Sequence, residues 1–327
     1  MSFPQVSIIM PTFNRTAWMR AAIESVFAQT LQEWELIIGD DGSDAPTRDC
    51  LRALANREAE RVRVLFLTHG GNPPAVRNRA LREARAGYVA FLDSDDLWQP
   101  CKLERQLASL RARPERGWSY TRCVFVDGSG RPRATGRPLR HPQSKDGWIV
   151  ESLLAGEAVI TQSSVMVRRE LLERSGVYPP DLPICGDYDL YVRLALRSPV
   201  DFLDDPLVLV RRHDQHYCDD ITALSELLRF FRGLERLELD ARLARLVRSR
   251  RAGIFARLAR AQAAGGSRLR ALRTLLSSAP ESWRYGAFWP SAAAATARAF
   301  APSWAWGLAR SARTLLSGRI AARGHLP

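Results

Sequence analysis

Short apolar runs alternate with helically spaced apolar positions through the N-terminal part of the chain. Four runs predict buried strands, at residues 6–10, 35–39, 62–67 and 88–92. Between them, apolar residues recur at helical spacing, at residues 18–29, 51–56 and 74–85. Strands that alternate with helices in this way predict an α/β fold with a doubly wound, mostly parallel sheet.

The middle of the chain is less regular. Apolar patterning predicts three further strands and one helix, at residues 117–126, 163–168, 206–212 and 187–196 respectively. The segment 128–145 is rich in Pro, Gly and Arg, and we therefore interpret it as an exposed loop.

Charge divides the chain into two parts. Residues 221–327 contain 19 Arg, no Lys and 5 acidic residues, a net charge of +14, whereas residues 1–220 carry 29 basic and 30 acidic residues. The basic part alternates Leu and Ala with Arg at helical spacing, which predicts amphipathic helices. We therefore expect a first domain at residues 1–220 and a C-terminal helical extension at residues 221–327.

The basic extension has two interpretations. In the first, its Arg face is attracted to anionic lipid while Trp, Phe and Leu side chains insert at the headgroup level, so that the protein is peripheral on the inner membrane face. In the second, the helices pack on the core or on a second subunit, and the arginines are simply solvated. No run of 18 or more apolar residues and no secretory signal occurs in the sequence, and the five scattered cysteines suit a reducing, cytoplasmic compartment.

Polar residues collect where the predicted strands end. Thr12 and Asn14 follow the first strand, Asp41 follows the second, and the acidic segment 93–96 follows the fourth. In an open α/β sheet, ligands bind outside the carboxyl ends of the strands, so these residues predict a binding site. Neither a Gly-x-Gly-x-x-Gly motif nor a phosphate-binding P-loop is present, which argues against a standard dinucleotide or P-loop fold.

The segment Asp93-Ser94-Asp95 has two readings when it is taken alone. Two carboxylates on one loop suit Mg²⁺ or Mn²⁺, which prefer oxygen ligands and keep open positions for phosphate. Alternatively, Ser94 or Asp95 caps the helix that follows Pro100.

Four ordered motifs add context, namely VSIIMPTFNR, ELIIGDDGSD, VRNRALREARAGYVAFLDSDD and GDYDLYVRLAL. Together they resemble the family 2 glycosyltransferases, which are inverting enzymes of the GT-A fold, and the resemblance covers residues 4–215. It implies that Pro11, Thr12 and Asn14 line the pocket for a nucleotide base. It also implies that Asp41 contacts uracil, a charge-assisted hydrogen bond to an imide N–H.

The same resemblance suggests how the diphosphate and a metal ion are bound. Arg77 corresponds to the basic residue near the nucleotide, where a guanidinium pairs with diphosphate oxygens or stacks on the base. Asp93 contacts the ribose or the metal, and Asp95 binds Mn²⁺ or Mg²⁺ directly. His213 is a further metal ligand or a diphosphate contact. Asp96 either orients Asp95 or caps the next helix.

The resemblance places the general base in a motif of the form Glu-Asp-x-x-Leu-x-x-Arg. Here Gly186 stands in place of the Glu, and Asp187 is the expected base. The alternative is that Asp187 is a helix N-terminal acid, whose pKa the helix dipole would lower. Asp189 is the rival carboxylate, and Trp98 either lines the acceptor pocket or packs in the core. His69 is interpreted as structural.

We therefore expect a metal-dependent inverting transferase that moves one sugar from a nucleotide-sugar to a saccharide, lipid-linked or protein acceptor, in cell-surface glycan or lipid-linked saccharide synthesis. UDP is the favoured carrier, and dTDP stays open because thymine shares the imide edge of uracil. Relatives that polymerise sugars usually carry a Gln-x-x-Arg-Trp motif and membrane helices, and this sequence contains neither. Two other classes stay open on the residues alone: a nucleotidyltransferase, and a nucleic-acid-binding protein that uses the basic tail, although we expect no nucleic acid partner.

Overall fold

The computed structural model of the chain describes residues 3–131, 145–213, 219–282, 284–286 and 288–300. Most of the loop predicted at residues 128–145 lies outside these ranges. The chain forms two compact units, Met1–Cys218 and Asp219–Pro327.

In the described part of the first unit, eight strands form one sheet: β1 (Val6–Thr12), β2 (Trp34–Asp40), β3 (Val62–Phe66), β4 (Tyr88–Phe91), β5 (Leu97–Trp98), β6 (Trp118–Val126), β7 (Met166–Arg168) and β8 (Val200–Arg211). The α-helices described there are α1 (Thr16–Phe27), α2 (Ala45–Arg57), α3 (Pro73–Leu81), α4 (Lys102–Ala112), α5 (Val150–Ala155), α6 (Arg169–Ser175) and α7 (Gly186–Ala195). The alternation of β1 to β4 with α1 to α3 confirms the α/β fold that the apolar pattern predicts.

The strand order in the sheet is β3-β2-β1-β4-β7-β6-β8-β5. Strands β1 to β4 are all parallel to one another, and β6 runs parallel to β8. The short strand β7 is antiparallel to both β4 and β6, and β5 is antiparallel to β8. The sheet is therefore mostly parallel, as predicted.

Two predicted strands have different bounds in the structure. The segment predicted at residues 163–168 contains a turn of 3₁₀ helix, Gln162–Ser164, before β7 begins. The strand predicted from Pro206 begins at Val200 instead. Pro206 lies opposite Arg122 where the register between β6 and β8 shifts, and a proline is tolerated at such an irregularity because the ladder is already interrupted there.

Helices cover both faces of the central strands. On one face, Ile8 of β1 and Leu36 of β2 belong to a core that also contains Met19 of α1. On the other face, Gly39 of β2 lies against Val76 of α3. Burial on both faces is typical of parallel strands and explains why the sequence shows continuous apolar runs rather than alternation.

The second unit is helical in its described residues, with α8 (Asp220–Leu234), α9 (Ala241–Ala264), α10 (Arg268–Ser282) and α11 (Trp289–Phe300). Alanines allow close helix packing: Ala252 and Ala256 of α9 lie in a cluster with Ala292 of α11. The carboxylates of Asp219 and Asp240 accept backbone N–H groups at the starts of α8 and α9. None of the described helices has the length and hydropathy that crossing a membrane requires.

Candidate functional site

A cavity of about 340 Å³ opens at the carboxyl ends of β1, β2 and β4, beside the N-terminus of α3. Its lining consists of Pro11, Thr12, Phe13, Arg15, Asp41, His69, Gly71, Pro73, Val76, Arg77, Asp93, Ser94 and Asp95. The strands that end here are parallel neighbours, so side chains far apart in sequence meet at one edge of the sheet. Six of the nine site residues expected from the sequence therefore line one cavity.

Asp41 fixes a loop as well as lining the cavity. Its carboxylate accepts hydrogen bonds from the backbone N–H of Gly70 and from that of Gly71, each at 2.9 Å. The Nδ1 atom of His69 lies 2.8 Å from the backbone oxygen of Asp41. The segment between β3 and α3 is thus tied to the end of β2. A ligand N–H that reaches Asp41 would share an oxygen that already accepts a backbone hydrogen bond.

Phe13 and His69 stack face to face and form an aromatic wall of the cavity. Their ring centroids are 4.1 Å apart and their planes differ by 18°. Stacking on such a surface is the usual way that proteins hold a planar base. Sequence reasoning missed both residues. Phe13 carried a usable signal, since it is an aromatic residue between two polar ones at a strand end, whereas His69 carried none because its partners lie elsewhere in the chain.

Thr12 and Asn14 have different positions although both follow β1. The Oγ1 atom of Thr12 is buried and has no hydrogen-bond partner among the described residues. Asn14 does not line the cavity. It adopts a positive φ of 50°, its Oδ1 accepts from the backbone N–H of Asp44, and its own N–H donates to Ser43 Oγ. Its side chain therefore joins the two loops that follow β1 and β2.

Arg77 lies on α3 and points towards the acidic segment after β4. Its Nη2 donates to Asp93 Oδ1 at 2.5 Å, and its guanidinium lies 5.6 Å from the ring centre of Tyr178. The side chain is almost fully buried, and its Nε has no hydrogen-bond partner in the part of the chain that is described. A buried guanidinium with one unused N–H is suited to bind an anion at the cavity edge.

Asp95 forms a charged cluster with residues from both ends of the first unit. The Nε2 atom of His213, just after β8, lies 2.9 Å from Asp95 Oδ2, and Arg15 pairs with the same oxygen. The ring of His213 stacks on Trp18 of α1, with centroids 4.2 Å apart. Arg15 and Trp18 were not anticipated from the sequence. Both lie near the first motif, but their partners are separated from them by the length of the domain.

The Asp95 cluster offers few ligands for a metal ion. Within the described residues, no three His, Cys, Asp or Glu side chains are grouped so that they could hold a metal ion. The structure brings Asp95 and His213 together, whereas Asp93 is paired with Arg77. One carboxylate and one imidazole suit a divalent ion that completes its shell with ligand oxygens.

Asp96 holds the acidic loop in place. It accepts a hydrogen bond from Ser163 Oγ at 2.6 Å and another from the backbone N–H of Arg211 at 3.0 Å. Burial, with Asp93 and Asp95 nearby, raises its pKa. Asp96 therefore serves as an anchor between the loop and β8. Trp98 is buried, and its Nε1 donates to Ser163 O, so it belongs to the core rather than to a pocket.

Asp187 lies in the first turn of α7, close enough to Arg77 and Asp93 for their charges to act on it. Loss of solvation raises the pKa of this carboxyl, and Arg77 partly opposes that rise. This contradicts the lowered pKa that the helix dipole alone would produce. The rival Asp189 is held by Arg193, with Oδ2 and Nη2 2.6 Å apart.

Gly186 permits the close approach of α7 to α3. A Cβ atom at this position would lie 3.0 Å from Cγ of Pro74, which is tighter than ordinary contact. The glycine that replaces the expected glutamate thus has a packing reason, because a larger side chain would require Pro74 to move.

Residues 7–176 match the sequence model of glycosyl transferase family 2. The match stops short of Asp187 and His213, so the positions of these two residues rest on the structure alone. Among curated relatives, the chain is 38% identical over 129 residues to a putative teichuronic acid biosynthesis glycosyltransferase, TuaG of Bacillus subtilis; the alignment covers 39% of the chain and 50% of TuaG.

A second relative is the Escherichia coli protein WfgD, named UDP-Glc:alpha-D-GlcNAc-diphosphoundecaprenol beta-1,3-glucosyltransferase. It is 38% identical over 105 residues, 32% of the chain and 40% of WfgD. The chain thus spans half or less of the length of these two relatives.

Solved structures share the fold at low sequence identity. S. aureus TarS with UDP-GlcNAc superposes with a TM-score of 0.59 at 18% identity, over 85% of the chain and 78% of TarS. The Pyrobaculum calidifontis mannosyltransferase PcManGT, in complex with GDP-Man and Mn²⁺, gives 0.57 at 20% identity, over 91% of the chain and 86% of PcManGT. These likenesses confirm the GT-A-like fold.

Proposed function

The chain belongs to glycosyl transferase family 2, and on that premise we propose that it transfers a single sugar from a nucleotide-sugar to an acceptor hydroxyl with inversion at the anomeric carbon. The observation that carries the proposal is one cavity that joins an aromatic wall to a buried guanidinium and a carboxylate cluster. A nucleotide-sugar contains a planar base, a diphosphate and a sugar. The aromatic wall suits the base, and the guanidinium with the carboxylate cluster suits the diphosphate and its metal ion.

In the proposed complex, the base stacks on the outer face of the Phe13–His69 pair. Thr12 Oγ1 and the unused Nε of Arg77 gain the hydrogen-bond partners that they lack among the described residues. Asp41 accepts from the imide N–H of uracil, and Pro11 completes the wall of the pocket. UDP is the proposed carrier, with dTDP as the alternative. The name of WfgD and the bound ligand of TarS favour UDP, whereas PcManGT binds GDP-Man.

Asp95 and His213 would hold a divalent ion, Mn²⁺ or Mg²⁺. Such an ion supplies positive charge beside the departing diphosphate. A nitrogen ligand suits Mn²⁺ better than Mg²⁺. Arg15 pairs with Asp95 in the structure, so its guanidinium lies where it can also neutralise diphosphate charge. Arg77 contributes a second fixed positive charge from α3.

Asp187 is the proposed general base. Because its pKa is raised, the carboxylate binds a proton more readily than an exposed aspartate does. It takes the proton of the acceptor hydroxyl while that oxygen attacks the anomeric carbon. The bond from this carbon to the diphosphate oxygen breaks, and the electron pair leaves with the nucleoside diphosphate. A single displacement of this kind inverts the configuration.

The proposed acceptor is a saccharide of a cell-surface glycan, carried on a lipid. The names of two relatives support this class: TuaG is named for teichuronic acid biosynthesis, and WfgD for a diphosphoundecaprenol-linked acceptor. In the second unit, α10 exposes Leu269 and Leu276, seven residues apart, with 73% of each residue's surface accessible. Arg273 lies between them on the same face and is also exposed. We therefore favour the cytoplasmic enzyme at the inner membrane face over a fully solvated helical subdomain.

Titration of UDP, dTDP and GDP with and without Mn²⁺ tests the proposal by thermal unfolding. A specific nucleotide at 100 times its Kd should stabilise the protein by about 2.7 kcal/mol. Asp95→Asn should remove the Mn²⁺-dependent part of this stabilisation. Asp49→Asn is the matched control, because Asp49 is an exposed carboxylate on α2 that pairs with the neighbouring Arg52.

Three results would contradict the proposal: no nucleotide effect, an equal effect in both variants, or tight salt-sensitive DNA binding without any response to UDP. Transfer of a nucleotidyl group to a sugar phosphate would instead identify the nucleotidyltransferase alternative.

A further inference from the structure

A second cavity, of about 630 Å³, lies within the C-terminal helical unit. It is bounded by the segment after α8, the middle of α9 and the link between α10 and α11. Its lining consists of Glu235, Leu237, Leu239, Ala244, Val247, Arg248, Arg251, Ser282, Arg284 and Tyr285. None of these residues takes part in the sugar transfer proposed above, and the family match ends well before them.

The charge of the lining is positive. Three arginines face one carboxylate, that of Glu235, which forms an ion pair with Arg251. Arg251 is largely buried, with 13% of its side chain exposed, so this pair is part of the wall. Arg248 and Arg284 supply the excess positive charge, and both are accessible to solvent.

The hydrogen-bond arrangement favours an acceptor in the cavity. Nε of Arg248 donates to the hydroxyl oxygen of Tyr285 at 3.3 Å. Because that oxygen accepts here, the hydroxyl hydrogen of Tyr285 is available to donate to a further oxygen. A guanidinium and a phenol that both donate towards one space are suited to phosphate oxygens.

The remaining lining is apolar. Leu239 and Val247 cover one side, and Leu237 is 46% exposed at the cavity. A purely inorganic anion needs no such surface, whereas a phosphate ester with a hydrocarbon part can use both the cationic and the apolar side.

We propose that this cavity binds the phosphate or diphosphate group of an amphiphilic phosphate ester, separately from the nucleotide cavity of the first unit. Two sources share this chemistry, a lipid headgroup in a membrane and a soluble phosphate ester. We favour the membrane lipid, because its hydrocarbon part can contact the apolar lining while its headgroup meets the arginines, and the experiment distinguishes the two.

The test uses the full chain and inorganic pyrophosphate as the soluble probe, measured by isothermal titration calorimetry. Arg248→Gln/Arg284→Gln should weaken pyrophosphate binding by at least about tenfold, the effect of losing one charge-assisted hydrogen bond. The control Arg260→Gln/Arg270→Gln removes the same charge from exposed positions of the same unit, outside the cavity, and should change the affinity by less than about twofold.

Tyr285→Phe separates the cavity from general electrostatic attraction, because it leaves the charge unchanged. It should weaken pyrophosphate binding several-fold through the loss of one donor. Equal losses in the two arginine variants, together with full binding by Tyr285→Phe, would overturn the proposal. Each variant is first compared with the parent protein by circular dichroism and thermal unfolding, so that a folding defect is recognised as such.

Flotation with phosphatidylcholine vesicles, with and without phosphatidic acid, assigns the source. Recovery that requires phosphatidic acid, and that Arg248→Gln/Arg284→Gln and Tyr285→Phe reduce more than the control, supports a lipid headgroup. If the protein binds pyrophosphate but all variants are recovered equally with vesicles, the result supports a soluble ester. Absence of both responses in the parent protein would refute the site.

Discussion

Arg77 shows how one side chain can act on several parts of a site. It is buried in α3 and pairs with Asp93. Burial raises the pKa of Asp187, and the charge of Arg77 partly lowers it again. Asp93, on the other hand, adds to the rise in the pKa of Asp187. The proton affinity of the proposed base therefore depends on a salt bridge that it does not itself form.

Arg77→Gln should move the acidic limb of the pH profile to higher pH. Asp187 works as a base only when it is ionised, so kcat/KM for the acceptor falls as the pH decreases through its pKa. Removal of Arg77 takes away the charge that lowers this pKa and leaves Asp93 uncompensated, and both changes raise it. The measurement is kcat/KM against pH at saturating donor.

Arg79→Gln is the control for this experiment, because Arg79 is an exposed arginine on the same helix. An acidic limb that stays in place in Arg77→Gln would refute the coupling. An active Asp187→Asn variant would refute the assignment of the base itself.

The sequence could predict which residues reach the cavity where the reason is local. Thr12 ends β1, Asp41 directly follows β2 and Asp95 lies four residues after β4, and the strand ends of one sheet meet at one edge. It could not predict that Asn14 turns away, because that depends on a left-handed backbone conformation. Nor could it predict the pairing of Arg15 with Asp95, because the two lie 80 residues apart.

At the scale of elements, the contact between α3 and β2 positions one wall of the nucleotide cavity. A Cβ atom on Gly39 would lie 2.4 Å from Cγ1 of Val76, so the Val76 side chain packs directly against the backbone of the strand. Val76 also lines the cavity. The packing of α3 on β2 thus fixes the position of Val76 in the cavity wall.

Gly39→Ala should lower the free energy of unfolding by about 1 to 3 kcal/mol, because the added methyl group overpacks this contact. The single variant Val76→Ala should also be destabilising, because removal of its methyl groups leaves a cavity. The double variant should be less destabilised than the sum of the single variants, with a coupling of about 0.5 to 3 kcal/mol. Urea unfolding of the four proteins measures this coupling, and strict additivity would show that the two positions do not meet.

The elements differ in how far the sequence could predict them. β1, β2 and β4 are continuous apolar runs, and their pattern alone was sufficient. β5 and β7 are only two and three residues long, and each pairs antiparallel with strands that are distant in sequence. No local pattern distinguishes such short strands from loops, because their pairing partners decide their conformation.

At the scale of the whole molecule, charge and chemistry occupy different units. All lining residues of the nucleotide cavity lie in Met1–Cys218, whereas the basic excess lies in residues 221–327. The composition predicts a division of this kind because the charge imbalance is large. It could not show which helix faces remain exposed, since that depends on how α8 to α11 pack with one another.

Leu269→Ser/Leu276→Ser should reduce recovery of the protein with anionic vesicles without changing its charge. Each leucine exposes 73% of its surface on α10, and insertion of both side chains would bury apolar area at the interface. Co-sedimentation with phosphatidylglycerol vesicles measures the effect. Val159→Ser/Val177→Ser is the control, because these exposed valines lie in the first unit. Equal recovery of the two double variants would favour the solvated helical subdomain.

The hydrogen bond between Arg211 and Asp96 spans 115 residues, and it has a consequence for biosynthesis. The acidic loop leaves the ribosome well before the strand that anchors it. At a synthesis rate of about 5 to 20 residues per second, this delay lasts roughly 6 to 23 s. During that interval Asp95 and Asp96 lack their partners from β8 and His213. A nascent chain of this protein can therefore anchor its acidic loop to β8 only near the end of translation of the first unit, and its first strands must remain unaggregated until then.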